Sequence, residues 1–129
     1  MIYFIGAGPG AADLITVKGK DLLEKADLII YAGSLVNPEL LKYAKPECVI
    51  MDSAKMTLEE VIAAMVPAAQ AGKLVVRLHT GDPSVYGAHR EQIDLLRSYN
   101  LDFEIVPGVS SFCAAAVRHD TRAIEIIND

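Results

Sequence analysis

The chain has 129 residues, of which 52% are hydrophobic and 22% charged, and its formal net charge is −5. That length fits one domain able to bury roughly two-thirds of its unfolded surface, so neither disulfides nor a metal is needed as a staple. The acidic balance argues against a general nucleic-acid binder, which needs a basic face to neutralise phosphates, and the composition is that of a globular chain.

Apolar runs alternate with helix-length segments along the chain. Ile2 to Ile5 reads as a buried strand that meets the glycine-rich turn Gly6-Ala7-Gly8-Pro9-Gly10. No basic segment precedes that run and Gly6 ends it, so it is not a signal peptide. Leu14 to Lys25 reads as a helix with Asp13 as its cap and Leu14, Val17, Leu22 and Leu23 as core positions. Asp27 to Tyr31 is a second strand. Pro38 to Ala44 is a short helix with Asn37 as cap and Pro38 in the first turn. Cys48 to Met51 is a third strand.

Thr57 to Ala71 is the clearest helix. Thr57 followed by Glu60 forms a capping box, Pro67 predicts a kink, and Gly72 is a natural stop. Leu74 to Leu78 is a fourth strand, Tyr86 to Ser98 a fourth helix and Phe103 to Val106 a fifth strand, with a helical pattern resuming at Val109. No apolar run approaches the roughly 18 residues needed to span a bilayer. Cys48 and Cys113 share no metal-ligand spacing and read as reduced thiols of a cytoplasmic protein.

Strand and helix in strict alternation predict an α/β fold: a mainly parallel five-stranded sheet with helices on both faces. Ligands of such sheets bind beyond the carboxyl ends of the strands. Three loops there are unusual: "GAGPG" after strand one, "HTGDPSVYG" after strand four and "PGVSS" after strand five. The first formally matches a dinucleotide fingerprint, Gly6-x-Gly8-x-x-Ala11. That reading needs an acidic residue at the end of strand two, where the sequence has Tyr31-Ala32-Gly33-Ser34, and Asp27 lies at the strand's wrong end. Pro9 also removes a backbone donor from a turn that would cradle pyrophosphate.

Each loop also has a plain structural reading. "GAGPG" serves as a tight strand-to-helix turn, Asp82-Pro83 as a turn and helix cap, and Ser110 or Ser111 as the cap of the last helix. In the functional reading, Gly81 and Asp82 hold a polar ligand by backbone and carboxylate, and the two serines offer hydroxyls to it. No Gly-x-Ser-x-Gly elbow supports a serine hydrolase.

The stretches "GAGPGAADLIT", "ADLIIYAGSLVNPELL", "VVRLHTGDPSVYGA" and "EIVPGVSSF" resemble the tetrapyrrole methylases, the S-adenosylmethionine-dependent enzymes of corrin and sirohaem synthesis. "YAGSLVNPELL", "MDSAKMTLEEV" and "LHTGDPSVYG" look most like the branch that methylates carbon 11 of precorrin-4 or cobalt-precorrin-4 in cobalamin biosynthesis. The resemblance runs from Ile2 to about Val117. It implies a two-domain enzyme, with S-adenosylmethionine folded into the cleft between the domains and a homodimer as the working form.

Carried over by motif, Pro9, Thr80, Gly81, Asp82, Val85, Ser110 and Ser111 border the cofactor. Tyr31, Ser34 and Asn37 face the corrinoid tetrapyrrole substrate. A macrocycle rich in carboxylates also wants cationic partners, for which Arg77, His79, Arg90 and Lys55 are candidates.

Ala32 stands where the related uroporphyrinogen methylases carry an aspartate proposed as proton acceptor, so no catalytic residue is assigned. Residues 1–117 are read as the N-terminal methylase domain and 118–129 as a divergent or truncated tail, with the C-terminal domain absent and turnover by this chain alone doubtful. Two other readings stand beside the methyltransferase: a non-catalytic, self-associating domain remnant, and an NAD-binding oxidoreductase domain.

Overall fold

The computed structural model describes residues 1–8, 10–33, 36–79 and 90–109. Its strands are β1 (Ile2–Gly6), β2 (Leu28–Tyr31), β3 (Val49–Asp52), β4 (Val75–His79) and β5 (Phe103–Val106). Its α-helices are α1 (Val17–Lys25), α2 (Leu58–Gln70) and α3 (Arg90–Ser98), and short 3-10 turns cover Ala12–Leu14, Pro38–Tyr43 and Ser53–Lys55. The strands form one sheet in the order β3-β2-β4-β1-β5, with every pairing parallel.

The sheet's two faces follow from the period-two alternation of its strands. Ile2 and Phe4 of β1, Leu28 and Ile30 of β2 and Val75 of β4 pack under α2 and α3, against Val61, Ile62, Met65, Ile93 and Leu96. Ile5, Ile29, Val76 and Leu78 pack the other way, against Leu23 of α1 and Leu40 of the Pro38–Tyr43 turn. Each fully buried Leu, Ile or Phe contributes about 1.5–3 kcal/mol relative to exposure. Because β1, β2 and β4 are buried on both sides, they read as continuous apolar runs.

Several sequence expectations need correction. The helix expected over Leu14 to Lys25 with Asp13 as cap is divided. A 3-10 turn ends at Leu14, Ile15 is extended, and α1 starts at Val17 behind Thr16, whose hydroxyl accepts from Gly19 N at 3.1 Å. Thr16, and not Asp13, is therefore the residue whose side chain satisfies a backbone N–H of the first turn of α1. Val17, expected in the core, is therefore in the exposed first turn at 78% exposure, and Leu14 is also exposed.

β3 is an edge strand, so the helical cover expected on both faces does not extend to Val49 and Ile50, which are exposed. The short helix at Pro38 is a 3-10 helix, entered as expected through Asn37 and Pro38. The capping box of Thr57 and Glu60 is present, and α2 continues through Pro67 to Gln70. The helix expected from Tyr86 is described only from Arg90, and the pattern after Val109 lies outside the described residues.

Chain direction reverses inside the sheet. β1 to β2 and β2 to β3 move toward one edge, with their connections on the α1 face. β3 to β4 and β4 to β5 move toward the other edge, with α2 and α3 on the opposite face. A crossover of fixed hand must change face when it changes direction. The reversal falls between the neighbours β4 and β1, and in open α/β sheets ligands bind beyond the carboxyl ends of the strands at such a reversal.

Candidate functional site

The strand order decides which loops meet. β1 lies between β4 and β5, with Gly6 in register with His79 and Ile5 with Val106. Ala7 N donates to His79 O, which ties the ends of β1 and β4 together. The glycine-rich segments that follow these strands thus leave from three adjacent positions on the carboxyl edge.

Within the first segment, Gly8 has φ +82°, and a Cβ there would lie 2.8 Å from Leu14 O. The chain folds back on itself so closely that only glycine fits. Gly10 O accepts a 2.8 Å hydrogen bond from Asn37 Nδ2, and Asn37 Oδ1 accepts from Glu39 N at 2.9 Å. One amide therefore caps the Pro38–Tyr43 turn and holds the glycine loop against it.

Of the sequence-predicted site residues, Tyr31, Asn37, Lys55, Arg77, His79 and Arg90 are described, and Lys55 and Arg90 are exposed. Pro9, Ser34, Thr80, Gly81, Asp82, Val85, Ser110 and Ser111 lie outside the described residues. Tyr31 and His79 are half-buried at the carboxyl ends of β2 and β4, and the His79 ring stacks on Phe4 with centroids 6.1 Å apart. Ser53 Oγ donates to Tyr31 O, pinning the end of β2.

Arg77 does not reach the surface as a free cation would. It is 6% exposed on the α2–α3 face. Its Nε donates to Gln92 Oε1 and its Nη1 to Ile30 O, each at 3.2 Å. Burial lowers its pKa to about 10, which leaves it charged at neutral pH. No signal in the sequence links Gln92 to Arg77, and that partner was missed.

The dinucleotide reading fares poorly. Asp27 precedes β2 at the amino edge, where it binds Leu74 N and Lys45. Asp52, at the end of β3, is occupied as the cap of the Ser53–Lys55 turn. Neither carboxylate stands at the end of β2, where a ribose would need it.

The sheet is a doubly wound parallel α/β sheet whose order reverses between β4 and β1, and among the described residues no carboxylate stands at the end of β2. The model of the tetrapyrrole (corrin/porphyrin) methylases matches residues 1–123, and the chain belongs to that family. Over 114 residues it is 60% identical to a cobalt-precorrin-4 C(11)-methyltransferase of Methanocaldococcus jannaschii, a match covering 88% of this chain and 44% of that protein.

The X-ray structure of a cobalamin-biosynthetic cobalt-precorrin-4 methyltransferase superposes with a TM-score of 0.90 at 50% identity, covering 94% of this chain and 51% of that one. A uroporphyrin-III C-methyltransferase of Thermus thermophilus, solved with S-adenosylhomocysteine, gives a TM-score of 0.73 at 35% identity, covering 89% and 47%. The chain spans about half the length of these relatives.

Proposed function

We propose that this chain supplies one wall of the S-adenosylmethionine cleft of a methyltransferase acting on carbon 11 of precorrin-4 or cobalt-precorrin-4. The observation that carries the reading is the strand order β4-β1-β5, which starts all three glycine-rich loops from neighbouring positions on the carboxyl edge. The donors suit a methyl donor better than a dinucleotide. The first loop contains a proline where pyrophosphate would want an N–H, and no carboxylate stands at the end of β2.

S-adenosylmethionine would supply an electrophilic methyl on a sulfonium. Thr80, Gly81 and Asp82, with Val85, Pro9, Ser110 and Ser111, would hold it through backbone groups, hydroxyls and one carboxylate. Tyr31, Ser34 and His79 would border the macrocycle, whereas the engaged amide of Asn37 and the engaged guanidinium of Arg77 act through the fold. These residues orient the ligands and exclude water, and positioning of this kind lowers a barrier by up to about 7–11 kcal/mol. No covalent enzyme intermediate is required.

The reading includes a first domain over residues 1–117, a second cleft wall of the kind its relatives have, a homodimer and a cytoplasmic setting. Among the described residues, no helix is long and apolar enough to cross a membrane.

Calorimetry with S-adenosylhomocysteine and with NAD tests this proposal. The chain is expected to bind the first and not the second. Asp82→Ala should weaken binding about 10- to 100-fold, the loss of a charge-assisted hydrogen bond. Binding of NAD alone, or an affinity indifferent to Asp82→Ala, would defeat the assignment.

A further inference from the structure

Asn37 is the residue through which the segment after β2 grips the turn after β1. Val36, just before it, is 2% exposed, and Leu40, one turn on, is 1% exposed. Both sit in the core with Ile5, Leu23 and Ile29. Buried side chains on either side thus fix the backbone of Asn37, and its amide works from a rigid base.

The capping bond alone does not call for asparagine. Oδ1 accepts from Glu39 N at 2.9 Å, and serine, threonine or aspartate would serve there as well. Asparagine adds an NH2 donor beside its acceptor oxygen. That donor, Nδ2, bonds Gly10 O at 2.8 Å, 27 positions away in the sequence.

This second bond falls where packing does not reach. At Gly8 the turn is fixed by contact, since a Cβ would lie 2.8 Å from Leu14 O. At Gly10 φ is +125°, and a Cβ would meet nothing within 4 Å. Glycine in open space keeps a wide choice of conformations, and a hydrogen bond to its carbonyl narrows that choice. The near end of the turn is already tied, by Ala7 N donating to His79 O. Asn37 ties the far end.

We propose that Asn37 is a positioning residue for S-adenosyl recognition. It acts through Gly10 and touches no ligand. With its donor in place, the turn after β1 meets the ligand already ordered, which removes an entropic cost of binding. The role rests on the methyltransferase reading, and it replaces the macrocycle contact that resemblance implies for Asn37.

The test titrates S-adenosylhomocysteine into the 129-residue chain and three variants, each held well below its own melting temperature. Asn37→Ser keeps a capping oxygen but is too short to reach Gly10 O. It should bind about tenfold more weakly than wild type. Asn37→Asp keeps the cap and sets a carboxylate against the Gly10 carbonyl, and should fall at least as far. Gly72→Ala strains the fold at the amino edge, away from the turn, and should bind within about threefold of wild type.

A folded Asn37→Ser variant with wild-type affinity would reduce Asn37 to a helix cap. If that variant does not fold, wild-type affinity in Asn37→Asp overturns the role in the same way. An equal loss in Gly72→Ala would show that affinity follows overall stability, and the role would again fall. In each of these cases wild type still binds and the cofactor reading stands. A wild-type chain that binds no S-adenosylhomocysteine overturns that reading and the role of Asn37 with it.

Discussion

At the amino edge of the sheet, Asp27 accepts from Leu74 N at 2.8 Å and from Lys45 Nζ at 2.7 Å, joining the start of β2 to the start of β4 and to the segment before β3. Within the sheet, Arg77, the third of the five residues of β4, joins that strand to β2 and to α3. The first clasp is an ion pair with each side chain about one-third exposed, and both charges are answered. The second is a buried cation that, among the described residues, is answered by two neutral oxygens. At its amino edge the fold closes the sheet with a partly solvated, charge-balanced pair. Within the sheet it accepts the desolvation of Arg77, and at the carboxyl end of β1 a close backbone approach at Gly8.

Two glycines offer the sharpest test of that difference. Gly8 at the carboxyl edge and Gly72 at the amino edge share nearly the same backbone, φ +82° and φ +80°. A Cβ at Gly8 would stand 2.8 Å from the Leu14 carbonyl oxygen, whereas one at Gly72 would meet nothing within 4 Å. Gly72→Ala should cost about 1 kcal/mol, the strain of a left-handed alanine alone. Gly8→Ala adds a backbone collision and should cost about 2–4 kcal/mol. Urea unfolding of the two variants reads the gap, and equal losses would mean that the carboxyl edge is no more tightly built than the amino edge.

A smaller effect is expected at Asn37, which joins the glycine loop to the element after β2. Asn37→Ala removes both the cap and the bond to Gly10 O and should cost about 1–2 kcal/mol. Asn37→Asp keeps the acceptor for Glu39 N and loses the donor, so it isolates the loop contact. If the aspartate variant is as stable as wild type in thermal melts, the bridge to Gly10 contributes nothing and the cap carries the whole effect.

These residues also show what the sequence could reveal. The capping box at Thr57 and Glu60, the Asn37-Pro38 helix entry and the apolar runs of β1, β2 and β4 are local signals, and the structure follows them. Asp27 was legible as lying at the wrong strand end, because strand direction follows from alternation alone. What could not be read depends on contacts distant in sequence. Strand order made β3 an edge and exposed Val49 and Ile50, although the run itself looks as buried as β2.

Arg77 is a candidate substrate cation in the sequence because a macrocycle rich in carboxylates wants cationic partners. Its partner Gln92 stands fifteen residues away on a helix, and no local pattern joins the two. At the start of α1 the sequence reading named Asp13 as cap, whereas Thr16, three residues on, fills that role. For the loops proposed to hold the cofactor the motif spoke first, since they follow strands whose order only the fold supplies.

The smallest effect expected belongs to the amino-edge clasp, and it is distinguished by its pH dependence. The hydrogen bond from Lys45, then that from Leu74 N, holds the Asp27 carboxyl below its ordinary value of 3.8. A carboxylate whose folded pKa is depressed stabilises the fold above its unfolded pKa, and that contribution is lost as pH falls through the folded value. Lys45 is shifted upward, chiefly by the hydrogen bond with Asp27, so its share is present below the ordinary 10.5 and lost as pH rises through the folded value. The pair thus contributes across the whole range between acid and strong alkali. Partial exposure lets solvent and salt screen it. Asp27→Asn should therefore lower the melting temperature slightly at neutral pH, less in high salt, and not at all once the pH is below the folded pKa of Asp27. Asp27→Asn keeps a carbonyl acceptor for Leu74 N, so a deficit that persists unchanged into strong acid would show that the loss does not come from the charge of Asp27, and the contrast between a charge-balanced amino-edge clasp and the buried Arg77 clasp would lose its electrostatic half.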